Sequence, residues 1–242
     1  MSMDIELPIS ILQQPDDTTC GPTCLQAVYN YYGDKTTLDE VIESAHAFSQ
    51  GGGTLAVFLA CDALRRGYQA TIYTYNLQVF DPSWFASQDI DIAGRLARQA
   101  EVKQDNKLQH ATHGYIEFLK LGGKLLYVDL TAHLLRGIIR QRLPVLTGLS
   151  STYLYNERRV YGEFDTPDDI RGFPGGHFVI ISGYHRDKRT VLINDPFEPN
   201  PLSDSLTYAI NIDRVICSVL LGVLTQDANL LVIQPSPERK HP

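Results

Sequence analysis

The chain has 242 residues, enough to bury a substantial core as one domain, and its 43% hydrophobic and 20% charged residues exclude a disordered or membrane-embedded protein. A net charge of −7 argues against a non-specific grip on nucleic acid, which rests on clustered Lys and Arg. Four cysteines are too sparse for a disulfide framework, so the default reading is a cytoplasmic protein.

The N-terminus, Met1-Ser-Met-Asp-Ile-Glu-Leu7, has no basic region followed by an apolar core and so does not read as a signal peptide. A first helix is expected from Cys20 to Tyr32, with Leu25, Val28, Tyr29 and Tyr32 at helical spacing, Pro22 in its first turn and Gly33 as its stop. Residues 37–47 form a second helix, with Leu38, Val41, Ile42 and Ala45 on one face and Thr36 or Thr37 as cap. After a flexible turn at Gly51-Gly-Gly53, Thr54 caps a third helix that runs to Arg66 and is stopped by Gly67. Gln69–Tyr75 alternates like a strand, and Ile92–Val102 and Thr112–Leu121 read as helices. Lys124–Leu130, Pro144–Leu149, His177–Tyr184, Thr190–Asn194 and Asn229–Gln234 are short β-rich runs, with Thr131–Gln141 a helix between the first two. The apolar stretch around 215–224 is broken by Ser218 and Gly222 and is too short to span a bilayer. Helices first and strands last predict an α+β fold.

The chemistry gathers around Cys20. It follows a polar loop, Gln14-Pro-Asp-Asp-Thr-Thr19, and opens a helix, where the positive end of the helix dipole favours thiolate over thiol. Cys24, Cys61 and Cys217 lie in apolar contexts and read as inert packing residues. Cys24 stands one turn after Cys20, but no further Cys or His nearby completes a metal site. The side-chain amide of Gln14 can donate to a developing oxyanion, with the Cys20 backbone N–H as second donor. His177 opens a strand after Gly175-Gly176, and Asp195 ends the next strand. A hairpin through 183–189 brings Asp195 back beside the histidine, where it fixes the ring tautomer; Asn194 is a rival for that role. Nucleophile, base and orienting acid from distant parts of the chain are what nucleophilic catalysis requires. His46, His110, His113, His133 and His185 have no partner of catalytic type and read as surface or packing residues.

Between Leu149 and Gly176 a polar segment carries Tyr153, Tyr155, Tyr161, Phe164 and Phe173. It leads directly into His177, and tyrosines present apolar faces with polar tips, so Tyr153, Tyr155 and Gly176 are the candidate substrate contacts. The alternative is a surface hairpin with ordinary packing.

These motifs resemble those of the papain-like cysteine peptidases, most closely the bacteriocin-processing (double-glycine leader) peptidases, family thirty-nine of the cysteine peptidases, and their stand-alone relatives. The matching segments are Gln14 through Thr-Cys20-Gly-Pro-Thr-Cys-Leu25, Gly53-Thr-Leu55 through Leu64-Arg-Arg-Gly67, Gly-Gly-His177-Phe-Val-Ile-Ile-Ser-Gly-Tyr184 and Ile-Asn-Asp195-Pro196. The resemblance implies a single papain-like peptidase domain over 1–242, with a helical N-terminal half whose nucleophile helix packs on a C-terminal antiparallel sheet. Against that domain, about 76–123 and 150–174 stand as insertions. It implies Cys20 as nucleophile, His177 as base, Asp195 as orienting acid and Gln14 as oxyanion donor, acting on a peptide or protein substrate without metal or organic cofactor. No membrane span or P-loop accompanies these motifs, so an exported leader as substrate is less well supported. The rival readings are a papain-like acyltransferase, which passes the acyl group to an amine, and a non-catalytic peptide-binding module of the same fold.

Overall fold

A computed structural model describes residues 5–49, 54–162, 165–225 and 227–237. The Gly51–Gly53 turn and Phe164 of the aromatic segment lie outside the described residues.

Strand β1 (Ile5–Glu6) leads through an extended segment to helix α1 (Cys20–Tyr31), followed by α2 (Leu38–Ser49) and α3 (Ala56–Arg65). Gly33, at φ +83°, ends the α1 turn in a conformation that side-chain-bearing residues rarely adopt. Thr37 caps α2 reciprocally: its hydroxyl accepts from Glu40 N–H and Glu40 carboxylate accepts from Thr37 N–H. Thr54 does not cap α3. The helix starts two residues later with no local side-chain cap, and the acceptor for Ala56 N–H is Asp227 Oδ2, 2.6 Å away. Tyr29 Oη donates to Asp62 Oδ2 (2.6 Å), which also receives Arg66 Nε (2.9 Å), so a buried polar clip joins α1 to α3.

Next come β2 (Tyr68–Thr74), α4 (Ile92–Val102), α5 (Asn106–Lys120), β3 (Lys124–Leu126), α6 (Ala132–Arg140) and β4 (Val145–Ser150). Helix α5 begins six residues before the Thr112 expected from periodicity, because Asp105 caps it through Leu108 N–H. The aromatic segment folds as helix α7 (Ser151–Tyr155) and a small hairpin, β5 (Val160–Tyr161) with β6 (Thr166–Pro167). Strands β7 (Gly176–His185), β8 (Thr190–Asn194) and β9 (Thr207–Asn211), helix α8 (Ile212–Leu221) and strand β10 (Asn229–Pro235) complete the chain. No helix among the described residues is long and apolar enough to cross a membrane.

The main sheet runs β3-β2-β10-β4-β7-β8-β9, with β1 added to the far end of β7. It departs from a purely C-terminal antiparallel sheet: β2 comes from the helical half, and β3 pairs with it in parallel. Helices cover both faces. On one, α1, α3 and α5 pack with Phe178, Ile180, Ile72 and Leu231; on the other, α6, α7 and α8 pack with Val179, Ile181, Ile193 and Leu230. Each fully buried Leu, Ile or Val contributes about 1.5–3 kcal/mol, and the alternation of faces along β7 is what divides the core in two. The β7–β8 ladder has one irregularity: Ile181 opposes Ile193 and Gly183 opposes Leu192, leaving Ser182 as an extra residue whose carbonyl accepts from Leu7 N–H (2.8 Å).

Candidate active site

Cys20 is the first residue of α1, half-buried at the mouth of a cleft of ≈ 810 Å³ that also takes in Gly176, His177, Phe178 and Leu149. One turn into the same helix, Cys24 Sγ–H donates to the Phe178 carbonyl (3.4 Å), which ties α1 to β7 beside His177. Helical spacing cannot reveal this contact, so Cys24 reads from sequence as plain packing.

His177 is the second residue of β7, opposite Leu149 of β4, and only 8% exposed. Its Nε2–H donates to Asp195 Oδ1 (2.8 Å), which leaves Nδ1 free of Asp195, and Cys20 is close enough for its charge to act on the ring. Burial alone would lower the ring's pKa. The hydrogen bonds and negative charge of Asp195 and Cys20 outweigh it and raise the imidazolium well above its ordinary range, to about 10.

Asp195 is fully buried and crowded with donors. Oδ1 accepts from His177 and from Phe197 N–H (3.0 Å), while Oδ2 accepts from Tyr208 Oη (2.7 Å), Tyr155 Oη (2.8 Å) and Asn200 Nδ2 (2.9 Å). Burial pushes its pKa up, but the bond to His177, the histidine's charge and the remaining donors hold it below the usual carboxylate range. Asn194, the alternative partner for His177, faces the other way and donates to Thr207 Oγ1 (2.9 Å) and the Ile9 carbonyl (3.4 Å).

Gln14 is fastened next to the loop that follows Asp195, its N–H donating to the Pro196 carbonyl (2.9 Å). Its side-chain Nε2 donates to the Asp16 carbonyl (2.9 Å), and its Oε1 is buried without a partner. It does not belong to the cleft lining.

The three expected substrate contacts have different surroundings. Gly176 lines the cleft, and a Cβ there would stand 2.8 Å from Thr225 Oγ1 and 2.9 Å from Thr225 Cβ, so a side chain at this position would have to displace Thr225. Tyr155 is instead buried behind Asp195, held there by its hydroxyl, with its ring stacked on Phe197. Tyr153 is exposed outside the cleft lining, with the Arg214 guanidinium 5.1 Å from its ring centre. From the same aromatic segment it is Phe173 and Pro174 that line the cleft.

Other lining residues carry no local sequence signal. Asn106, Lys107 and His110 of α5 form one wall, so His110, a packing residue as expected, also borders the cleft. Its ring packs 4.5 Å from Phe58, and burial, followed by the nearby His113, lowers its pKa. Cys217 is exposed rather than buried, while burial pushes the Cys61 thiol up to about 12. Among the described residues no group of three His, Cys, Asp or Glu side chains could hold a metal ion.

A family model described as Peptidase_C39 like family matches residues 6–212. The chain belongs to that family. The C39-like assignment supports a peptidase, and the architecture is α+β. A Bacillus anthracis structure described as a C39-like peptidase superposes with a TM-score of 0.51 at 12% identity, over 97% of this chain and 99% of that one, a likeness of fold. Xylellain, a cysteine protease from Xylella fastidiosa, gives 0.48 at 13% identity, over 98% and 87% of the two chains. The double glycine motif protease of an AMS/PCAT transporter, in complex with its leader peptide, gives 0.44 at 13% over 97% and 100%. No curated protein matches the C39-like chain.

Proposed function

We propose that this C39-like protein is a cysteine peptidase that cleaves an amide bond of a peptide or protein through Cys20, His177, Asp195 and Gln14. The observation that carries the reading is that Cys20 and His177 line one cleft while His177 is bonded from behind to the buried carboxylate of Asp195. The Cys20 sulfur attacks the substrate carbonyl carbon, and the carbonyl oxygen becomes an oxyanion that accepts from the Cys20 backbone N–H and the second Gln14 amide hydrogen. His177 gives its Nδ1 proton to the leaving nitrogen as the C–N bond breaks, and a thioester remains on Cys20. A water then loses a proton to His177 Nδ1 and attacks the thioester, releasing the carboxylic acid and restoring Cys20. Asp195 stays ionised throughout and stabilises the imidazolium.

Cys24, Cys61 and Cys217 are free thiols alongside Cys20, which suits a reducing compartment such as the cytoplasm. The test is trapping with a peptidyl chloromethyl ketone near pH 6, followed by mapping of the labelled residue. Alkylation of Cys20 alone, abolished by His177→Ala, is expected. Preferential labelling of the exposed Cys217 overturns the assignment.

A further inference from the structure

The cleft contains one buried charged group that the proposed chemistry does not use. Asp227 precedes β10, is 5% exposed, and lines the same cleft as Cys20 and His177. It lies against Gly148, one position along the β4–β7 ladder from the Leu149–His177 pair; a Cβ on Gly148 would stand 2.9 Å from its carboxyl carbon. Its Oδ2 accepts from Ala56 N–H, and its Oδ1 from the Asn229 amide. Among the described residues it has no ion-pair partner: the salt bridges fall elsewhere, and Lys107 and His110 share the cleft without reaching it.

Capping α3 accounts for an acceptor at this position but not for a charge. Asn or Ser caps a helix about as well as Asp, whereas a carboxylate taken out of water without a cation is costly. The cost is visible in the carboxyl itself, which burial raises to about 7 although the Asn229 and Ala56 bonds pull it down. Each carboxylate oxygen keeps a lone pair beyond the bond it already accepts. Leu55, Leu149, Phe178 and Leu224 share the lining with the polar Thr54, Asn106, Lys107, His110 and Thr225, and the apolar members keep water from screening a charge seated among them.

Resting on the peptidase reading, we propose that Asp227 is the anionic end of a substrate subsite that receives a cationic nitrogen of the peptide. That nitrogen is a Lys or Arg side chain near the scissile bond or a free α-ammonium, and its charge supplies the counterion that the fold omits.

The probe is a synthetic peptide library randomised on both sides of a central bond, prepared with free and with acetylated N-termini. Cleavage sites are read by mass spectrometry for the wild-type protein and Asp227→Asn, which keeps the cap acceptor and removes the charge. Wild type is expected to enrich Lys or Arg about tenfold over norleucine at one position in the acetylated library, or to cut about tenfold faster a fixed distance from a free N-terminus. The first result identifies a side chain as the ligand and the second an α-ammonium. In Asp227→Asn the preference falls to within about twofold of none. Cleavage by wild type with no cationic preference, or a preference that persists in Asp227→Asn, overturns the subsite and leaves the peptidase reading standing. No cleavage of any member, with no alkylation of Cys20, withdraws the peptidase reading and the subsite with it.

Discussion

Tyr208 donates its hydroxyl to Asp195 Oδ2 across 2.7 Å, from the strand next to the one that delivers the carboxylate. With Tyr155 and Asn200 on the same oxygen, the outer half of Asp195 is saturated, and the inner oxygen is aimed at His177. A carboxylate so held stays ionised in the interior and has one orientation.

Tyr208→Phe removes one of these donors without changing packing. We expect a loss of about 1–3 kcal/mol in stability, since a buried acceptor loses a partner. Asp195 has a depressed pKa in the fold, so the stability it confers is present above its unfolded value and lost as pH falls through the folded value. Losing the tyrosine raises the folded value. The acid loss of stability and the acid limb of kcat/KM then move to higher pH, measurable by thermal unfolding and by kinetics across a pH series.

His177 has the opposite sign. Its raised pKa contributes stability that is complete below its ordinary value near 6.5 and is lost as pH rises toward about 10. Wild-type Tm should therefore fall across that alkaline window, and His177→Gln should flatten the slope while lowering stability at neutral pH.

Asp227 gives a third signature in a different window. Its carboxyl is raised from near 3.8 to about 7, so the fold is favoured with the proton on and loses stability as pH climbs between those values. Asp227→Asn should remove this slope. Asp227→Ala should instead cost about 1–3 kcal/mol at every pH, because Ala56 N–H and the Asn229 amide lose their acceptor.

The Cys24 contact predicts a separation of Ser from Ala. Cys24→Ser keeps a donor for the Phe178 carbonyl and should retain most activity. Cys24→Ala loses it and leaves a small void, so α1 is less well fixed on β7. A several-fold fall in kcat with little change in KM is expected for Ala, with recovery in Ser.

The helices α1 and α3 and the β7–β8 hairpin are legible because each has a local cause, and the same kind of cause brings forward Cys20, His177 and Asp195 as candidates: apolar spacing, a polar loop at a helix start, a strand ended by Asn-Asp-Pro. The donors around Asp195 are not legible. Tyr155 and Tyr208 stand 40 and 13 residues from it in the chain, and a tyrosine in a polar aromatic segment looks the same whether it faces a substrate or a buried carboxylate. Nor does the sequence around Ala56 say that its cap lies at Asp227. The strand β9 and helix α8 are hard to read for a related reason: apolar residues stand on both sides of Asn211–Arg214, and the change of period at Asn211, which caps α8, falls within a short stretch.

The extra residue at Ser182 decides which of two neighbouring side chains meets the histidine. Antiparallel partners share a face, so a step of one in pairing exchanges inside for outside. Continuing from Ile180 opposite Asn194, Asp195 stands across from Val179, on the side His177 occupies. Counted from the hairpin turn with Ser182 paired opposite Ile193 instead of bulged out, Asn194 would oppose Ile181 and take that side, and Asp195 would point away. Drawing Ser182 into the ladder would thus exchange an acid for an amide opposite the imidazole, whereas deleting it would keep Ile181 opposite Ile193 and Asp195 on the histidine's side. The identity of the third group rests on the slip of the ladder between the turn and the site, and this hairpin behaves as a vernier whose single offset selects carboxylate over carboxamide.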